Sequence, residues 1–500
     1  MAERPSPSGR RSQVGRNAAY NLVGAAAPIL VSLVAVPVYL DVVGEVRYGV
    51  LVLVWALLGF FGVSDFGIAI ATGNHVARVP AGDRDALGRV VVTAAALTAG
   101  AGLAAGALFV GVGAILVQLV LDIPAPLHGE TYAALAWVSA TLPFANLFWV
   151  SIGAAEGRER FLEANALRLV AAVMTQALPL VAAWLWEPTL AAIGAGLLAS
   201  TLVSSAAGMS LAARRLGSPA LRLPDRATAA SLLRYGSWVT VTGVVSAVVA
   251  SVDRLVIGAV RGPRAVTQYA IPANLVARLH LVPSSLTRTL FPRFSREADA
   301  TGDALARTAI TALVAIVTPV VVVAMVALEP FLRIWVGAPL AEAGAPVGSI
   351  LLLGAWIGAI AFVPYSLLLG RRRPDIPAKL VVAELPIYVG LLWAGLSLFG
   401  LEGAAWAWSV RVAGDAALLF AFAPRRLVDG RVLLGGAGAV GASYLASVAI
   451  FDDPVGRAVV GGALAVAACA WALWVLTSRH LLELRPRATA TPRADPPPTR

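Results

Sequence analysis

Charged residues and cysteine are scarce in this 500-residue chain. Asp, Glu, Lys and Arg make up 13% of it, against about 25% in soluble domains. Hydrophobic residues make up 59%, and the mean hydropathy is +0.80. The single cysteine, Cys469, excludes an internal disulfide and a CxxC metal site, and the four histidines (75, 128, 280 and 480) lack a metal-ligand spacing. The composition therefore predicts a polytopic membrane protein without a metal centre.

A phosphate-binding loop is also missing. The one lysine, Lys379, does not stand in a GxxxxGK[ST] context, which excludes ATP-driven transport by this chain. We expect no cofactor and no enzymatic activity, and energy from an H⁺ or Na⁺ gradient, the membrane potential or downstream consumption of cargo. Residues 1–16 have no apolar core typical of a cleavable signal. Residues 1–16 and 481–500 are predicted to be disordered cytoplasmic ends.

Apolar segments long enough to cross a bilayer, at about 20 residues each, fill most of the chain. They predict an all-α integral membrane protein with about fourteen transmembrane helices. We place these spans at 17–40, 47–72, 88–120, 131–153, 162–186, 189–213, 231–258, 266–292, 307–328, 347–370, 377–399, 402–423, 431–450 and 456–478.

The positive charge behind the net charge of +11 is distributed unevenly between the two sides of the membrane. With the N-terminus in the cytoplasm, 30 Lys and Arg fall at cytoplasmic connections, 5 at external ones and 4 within spans. Cytoplasmic loops carry an excess of positive charge in membrane proteins, so this alternation supports the span count and places both termini in the cytoplasm. We expect the positive charge to favour anionic membrane lipids and not a nucleic acid.

The clearest boundary is a basic linker at 214–234. It separates an N-lobe of spans 1–6 (17–213) from a C-lobe of spans 7–12 (235–423), and spans 13–14 follow at 424–480. Spans 1 and 7 both start in the cytoplasm, which predicts a parallel repeat. Few residues match between the two halves of this repeat. Val43-Gly44 followed by Tyr48 in the first half corresponds to Ile257-Gly258 followed by Tyr269 in the second.

The stretch from Leu232 to Phe294 carries the most informative charge. Asn274, Arg278, Ser285 and Arg288 share one face of span 8, and a guanidinium in mid-membrane costs about 2.5–3.5 kcal/mol unless water, a partner or a ligand receives it. The same helix is interrupted by Pro272, Pro283 and Pro292. Irregular backbone at that depth is tolerated only beside protein or a water-filled cavity. We therefore predict a hydrated, positively charged cavity.

Two more residues are candidates for that cavity. Asn21 lies on a polar face of span 1, which could line the cavity or let helices pack closely. Arg254 follows Asp253 near the external end of span 7, where it could pair with neighbours or form an outer gate.

Four buried charges are candidates for ion coupling or gating. Asp65 in span 2 could be a proton or cation site, a counter-ion for an arginine, or a side chain reaching the cytoplasmic surface. Glu384 lies in span 11. Arg411 and Asp415 stand four apart in span 12, where an internal ion pair is the simplest interpretation.

Several short motifs resemble those of the polysaccharide transporter family. This family comprises repeat-unit (O-antigen type) flippases within the superfamily that also holds multidrug extruders and lipid II flippases. The motifs span roughly residues 15–425 and are Arg16–Asn21, Val36–Leu40, Gly44 with Tyr48-Gly49, Ser64–Ile68, Tyr235-Gly236, Val252–Gly258, Gln268–Ala270 and Leu290–Ser295.

The resemblance implies two six-helix lobes that face one another in a V around a cationic cavity. It also implies alternating access and transfer of polyprenyl-diphosphate-linked oligosaccharide from the inner to the outer leaflet of a bacterial cytoplasmic membrane. In that family Arg278 would be the cavity arginine of span 8. Polysaccharide polymerases or glycosyltransferases would be partners.

Three alternatives remain open. A cation-coupled multidrug extruder of the same superfamily would need an acidic cavity, for which Asp65 and Glu384 are candidates. A polyprenol-dependent glycosyltransferase would need carboxylates in external loops, which here are short, with one acidic pair at Asp452-Asp453. A non-transporting scaffold would not need the polar face of span 8.

Overall fold

The structure is a computed structural model that describes residues 7–62, 64–80, 82–216, 224–294, 299–424, 427–449 and 454–478. Within these ranges, the side chains of residues 7–29, 215–216, 235–246, 288–289, 292–293, 299–300, 454–455 and 457 are not described.

The described residues form thirteen α-helices and two short 3-10 turns, as the hydrophobic composition predicts. The helices are α1 (Pro7–Phe61), α2 (Ile68–Arg78), α3 (Arg84–Leu119), α4 (His128–Gly157), α5 (Phe161–Leu185), α6 (Leu190–Leu216), α7 (Arg226–Ala277), α8 (Leu281–Phe294), α9 (Asp299–Val336), α10 (Ala338–Gly370), α11 (Asp375–Phe422), α12 (Gly430–Ala449) and α13 (Pro454–Ser478). Ten described helices are long and apolar enough to cross a membrane, and the chain is a multi-pass membrane protein.

Three of the helices reverse direction at a glycine. Gly44 in α1, Gly262 in α7 and Gly400 in α11 have φ of 79°, 75° and 63°, a region that favours glycine because it has no Cβ. The ring centres of Tyr39 and Trp55 lie 6.0 Å apart, although sixteen residues of straight helix would cover about 24 Å. Each of these helices therefore holds two spans.

Two spans are broken inside the membrane. The second half of α1 and α2 together form span 2, and the second half of α7 continues through a 3-10 turn into α8 to form span 8. With these pairings, the described helices account for fourteen spans, which agrees with the predicted count.

The predicted counterpart of Gly44 in the second half was wrong by four residues. We matched Gly44 with Gly258, but the left-handed glycine that turns the chain between spans 7 and 8 is Gly262. Gly258 lies within the helix, where its carbonyl accepts a hydrogen bond from the backbone N–H of Asp122 at 3.1 Å. Proline at position 263 fits this site, because a proline is tolerated in the first turn of a helix.

Two helices begin earlier than their spans. Helix α1 starts at Pro7, inside the segment 1–16 that its composition predicts to be disordered. Helix α7 starts at Arg226, inside the predicted linker, and Asp225 caps it by accepting hydrogen bonds from the Thr228 hydroxyl at 2.6 Å and the Thr228 N–H at 2.8 Å. The Thr228 hydroxyl, and then its N–H, hold the pKa of the Asp225 carboxyl below its usual range.

The chain groups into two compact units. The first comprises Met1–Asn274, Pro330–Val347 and Ala378–Trp408, and the second comprises Leu275–Glu329, Gly348–Pro377 and Ser409–Arg500. Within the first unit, α4 packs against α2, α3 and α6, and α5 packs against α1 and α6. Within the second, α12 packs against α13. The division into lobes at 17–213 and 235–423 stays a prediction.

Glycines bring α2 and α4 into backbone contact. A Cβ on Gly153 would meet the carbonyl oxygen of Ala69, and a Cβ on Gly157 would meet that of Gly73. Such small residues are typical of helices that approach closely in membranes.

Candidate functional site

Arg278 marks the break in span 8. Helix α7 ends at Ala277, residues Arg278–His280 form a 3-10 turn, and α8 begins at Leu281. Pro283 has no N–H to donate to the carbonyl four residues earlier, which explains why the regular helix is interrupted here. The side chains of Asn274, Arg278 and Ser285 are exposed, so three of the four predicted cavity residues of this helix are accessible in the structure.

The structure brings Arg254 and Asn274 together across the Gly262 hairpin. Arg254 Nη2 donates to Asn274 Oδ1 at 3.0 Å, and Nη1 donates to the carbonyl of Ala250 at 2.7 Å. Nη1 also lies 3.4 Å from Asp253 Oδ1. The guanidinium is thus held by polar groups of its own hairpin, although 18% of the side chain stays exposed.

Three of the remaining predicted residues lie in α11. Glu384, Arg411 and Asp415 are half-buried, the latter two one turn apart in the second half of α11. The side chains of Asn21 and Arg288 lie outside the described residues. The assignment of these residues to a cavity or to ion coupling stays a prediction.

Asp65 lies in the break of span 2, where it caps a helix. The backbone between α1 and α2 includes Phe66 and Gly67, both left-handed with φ of 49° and 64°. Asp65 Oδ1 accepts a hydrogen bond from the N–H of Gly67 at 3.1 Å, and the Asp65 carbonyl accepts one from the N–H of Ile68 at 2.9 Å. A carboxylate at the N-terminus of a helix satisfies its first N–H groups. Our three interpretations of Asp65 did not include this capping role.

Asn146 fixes the break of span 2 to two neighbouring helices. Its Nδ2 donates to the carbonyl of Thr98 at 3.0 Å and to Ser64 Oγ at 3.3 Å. Asn146 is 3% exposed, so these bonds form in the interior of the first unit. The break is therefore held at a defined position by α3 and α4.

The tips of the hairpins of α1 and α7 bind each other through four residues: Glu45, Arg264, Thr267 and Gln268. Glu45 Oε2 accepts from Arg264 Nε at 3.0 Å, and Glu45 Oε1 accepts from Gln268 Nε2 at 3.0 Å. The Thr267 hydroxyl donates to the Glu45 carbonyl at 2.7 Å. We call this arrangement the tip contact. It lies on the side that the charge distribution predicts to be external.

Sequence reasoning missed the tip contact. The signal that could have indicated it is the pair of opposite charges directly after two corresponding turns, in Gly44-Glu45 and in Gly262-Pro263-Arg264. Backbone proximity supports the contact, since a Cβ on Gly49 would meet the carbonyl of Pro263.

A bidentate ion pair lies beside the tip contact. Arg47 Nε and Nη2 donate to Glu130 Oε2 and Oε1 at 2.9 and 2.8 Å, and Glu130 Oε2 also accepts from the N–H of Leu190 at 3.2 Å. Parallel hydrogen bonds between a guanidinium and a carboxylate fix orientation as well as distance. Glu130 therefore joins the start of span 2 to the starts of α4 and α6.

Comparisons with known proteins agree with this architecture. The chain is 26% identical over 424 residues to a protein of Shigella flexneri described as "Putative O-antigen transporter", an alignment that covers 81% of this chain and 96% of that protein. The solved structure described as "Lipid II flippase MurJ, inward closed conformation" superposes with a TM-score of 0.74 at 11% identity, over 93% of this chain and 99% of that one.

An inward-facing multidrug resistance MATE transporter of the MOP superfamily superposes with a TM-score of 0.66 at 14% identity, over 85% of this chain and 99% of that one. These relatives and neighbours are transporters and not enzymes. The family model described as "Polysaccharide biosynthesis protein" matches residues 14–297. The chain therefore belongs to the polysaccharide biosynthesis protein family of membrane transporters.

Proposed function

We propose that the protein is a flippase that moves polyprenyl-diphosphate-linked oligosaccharide from the inner to the outer leaflet of a bacterial cytoplasmic membrane. The observation that carries the proposal is the exposed guanidinium of Arg278 at an irregular turn in the middle of a membrane span. A charge and an interrupted helix at that depth are stable only beside water, protein or a ligand. A diphosphate is a ligand that guanidinium groups bind through charge-assisted hydrogen bonds.

The descriptions of the similar proteins support the same proposal. The Shigella flexneri relative is described as an O-antigen transporter, and one structural neighbour is described as a lipid II flippase. Both descriptions name a protein that carries a cargo across a membrane. In this chain the exposed side chains of Asn274 and Ser285 supply polar surface in span 8 for the same cargo.

The proposed cycle is alternating access, with both termini in the cytoplasm. The tip contact joins the predicted external ends of the hairpins of α1 and α7, and in the proposed cycle it is present while cargo is received from the cytoplasmic leaflet. Separation of Glu45 from Arg264 and Gln268 would accompany opening to the outer leaflet. Coupling to H⁺ or Na⁺ is assigned to Asp65, with Glu384 as the second candidate.

The test is leaflet exchange in proteoliposomes that contain a fluorescent undecaprenyl-diphosphate oligosaccharide. The native protein should expose the labelled lipid to a reductant on the opposite side, and Arg278→Ala should abolish this exchange while it inserts normally. Arg431→Ala is the matched control, because Arg431 is also exposed but lies at the start of α12. Normal exchange by Arg278→Ala would remove Arg278 from the mechanism.

The second candidate is a cation-coupled multidrug extruder. It is favoured by the superposition on MATE transporters and by Asp65, which lines a cavity of about 630 Å³. Native protein that shows no lipid exchange but extrudes rhodamine 6G under an ion gradient would establish this function in place of the first.

A further inference from the structure

A cavity of about 630 Å³ lies between α2, the end of α4 and the start of α5. Its volume falls within the range of about 300–1,000 Å³ that small-molecule sites occupy. We call it the span-2 pocket and define it by six lining residues: Asp65, Asn74, Trp149, Glu156, Phe161 and Arg168. All six belong to the first unit.

The pocket lies near the predicted cytoplasmic ends of α2, α4 and α5. Helix α2 ends at Arg78 and α5 starts at Phe161, and both ends adjoin loops that the charge distribution predicts to be cytoplasmic. Apart from Asp65, none of the six residues has a part in the transport path proposed above.

Aromatic surface in the pocket is accessible and held in place. Trp149 is 45% exposed and Phe161 is 47% exposed. The Arg168 guanidinium carbon lies 5.8 Å from the centre of the Trp149 ring, and Arg168 Nη2 binds Glu156 Oε1 at 2.7 Å. One guanidinium therefore positions both an aromatic ring and a carboxylate, an arrangement that cation–π attraction and an ion pair stabilise together.

We propose that the span-2 pocket binds a neutral or amino sugar residue of the lipid-linked glycan, an inference that rests on the proposed function. A pyranose ring has an apolar face of C–H groups, which packs against an aromatic ring, and a rim of hydroxyls. Carboxylates accept hydrogen bonds from those hydroxyls, and the Asn74 amide both donates and accepts. The pocket supplies each of these groups.

The charges of the pocket select against acidic ligands. Asp65, Glu156 and Glu159 line it together with a single cation, Arg168, which is already paired with Glu156. Like charges at short distance disfavour the ionised form of a ligand carboxylate, so a uronic acid is excluded more strongly than a neutral hexose. The same repulsion keeps the diphosphate out, which leaves it for arginines elsewhere.

The test is equilibrium binding to the full-length protein in lipid nanodiscs with three probes. These are bare undecaprenyl diphosphate, undecaprenyl diphosphate carrying N-acetylglucosamine, and the same lipid carrying glucuronic acid. The N-acetylglucosamine probe should bind about three- to tenfold more tightly than the bare lipid, which is the gain expected from one aromatic platform. The glucuronic acid probe should show no gain.

Trp149→Ala and Phe161→Ala should each remove the gain while bare lipid binds as before. Trp184→Ala is the matched control, since this tryptophan of α5 is 77% exposed and lies outside the pocket. Glu156→Gln should relax the discrimination against glucuronic acid, whereas Glu163→Gln should not. Phe161→Ala keeps the test valid if Trp149→Ala fails to fold.

The outcomes separate the inference from the proposed function. If bare lipid binds and the sugar adds nothing, or if its gain survives in both aromatic variants, the pocket is not a sugar site although the flippase proposal stands. If none of the three lipid probes binds, the proposed flippase function is contradicted, and the inference about the pocket is contradicted with it. Binding of rhodamine 6G that Glu156→Gln abolishes and the sugar lipid does not compete would make the pocket a cation site.

Discussion

Glu45 and Arg264, which are 219 residues apart in the chain, join two membrane hairpins through a 3.0 Å hydrogen bond between Glu45 Oε2 and Arg264 Nε. The Glu45 side chain is 19% exposed and the Arg264 side chain 68% exposed. Because Gln268 binds the other oxygen of the same carboxylate, one acidic side chain holds two partners from the second hairpin. Glu45 is therefore the residue whose removal should most directly loosen the tip contact.

Glu45→Gln should shift the protein towards a state in which the hairpin tips separate. The loss of a partly exposed ion pair costs about 1 kcal/mol, or roughly fivefold in population. The measurement is the rate at which an impermeant maleimide modifies Ala265→Cys in a Cys469→Ser background, because Ala265 is buried beside the tip contact. This rate should rise about fivefold.

Two further variants test whether the charge itself is responsible. Glu342→Gln, which removes the exposed partner of Arg333, should leave the labelling rate of Ala265→Cys unchanged. The exchanged pair Glu45→Arg with Arg264→Glu should restore slow labelling. Equal rates in native protein and Glu45→Gln would contradict the proposed role of Glu45.

Arg278→Lys should support transport at about one tenth of the native rate, between the alanine variant and the native protein. Lysine retains the positive charge but lacks the planar fork that binds two phosphate oxygens at once. Initial rates of lipid exchange in proteoliposomes measure this difference. Arg431→Lys serves as the control, and a fully active Arg278→Lys protein would show that charge alone suffices.

Asp65→Asn separates the charge of this residue from its capping role. Asparagine caps helices about as well as aspartate, so the hydrogen bond to Gly67 should survive and the protein should fold. If Asp65 couples transport to an ion, the variant should lose the dependence of lipid exchange on an imposed H⁺ or Na⁺ gradient. Gradient-dependent exchange equal to that of the native protein would leave Asp65 with a structural role only.

Two controls accompany the Asp65 variant. Asp83 caps α3 through the N–H of Ala86 at 2.9 Å, so Asp83→Asn makes the same chemical change at a cap outside the span and should not affect coupling. Asp65→Ala removes the cap as well, and should lower stability by about 1 kcal/mol in thermal unfolding.

Gly153→Ala should destabilise the first unit. The added methyl group would meet the carbonyl oxygen of Ala69, and overpacking of this kind costs about 1–3 kcal/mol. The midpoint of thermal unfolding in detergent should fall relative to native protein. Gly111→Ala is matched to it, because a Cβ there meets nothing within 4 Å, and an equal fall in both variants would mean that the close approach of α2 and α4 is not the cause.

The architecture was predictable because it depends on local properties of the chain. Apolar length identifies each span, and the placement of arginine at alternate connections checks the count. The prolines around Arg278 also act locally, so the irregular turn at Arg278 could be anticipated. The repeat turn was misplaced, because Gly258 and Gly262 both stand close to the end of span 7. Helices α1 and α7 also begin earlier than predicted, inside the segments 1–16 and 214–234.

Most of the contacts at the candidate site could not be predicted, since they join residues distant in sequence. Neither residue of the Glu45–Arg264 pair has a local feature that identifies its partner, and the opposite charges indicate the contact only when the two turns are compared. Trp149 lies in a span whose composition is otherwise mostly apolar, and its place in a pocket depends on Arg168 from the next helix. The break at Asp65 contains no proline, and Gly67 was the one local sign of the left-handed backbone there.

The tip contact also makes the two hairpins unequal. A twofold axis between two identical chains makes every contact occur twice, because residue i meets residue j and j meets i. The pair of Glu45 with Arg264, two residues after Gly262, occurs once: the residue two positions after Gly44 is Val46, and the residue directly after Gly262 is Pro263. Val46 and Pro263 carry no charge, so this ion pair needs two different tip sequences, and two copies of either hairpin could not form it.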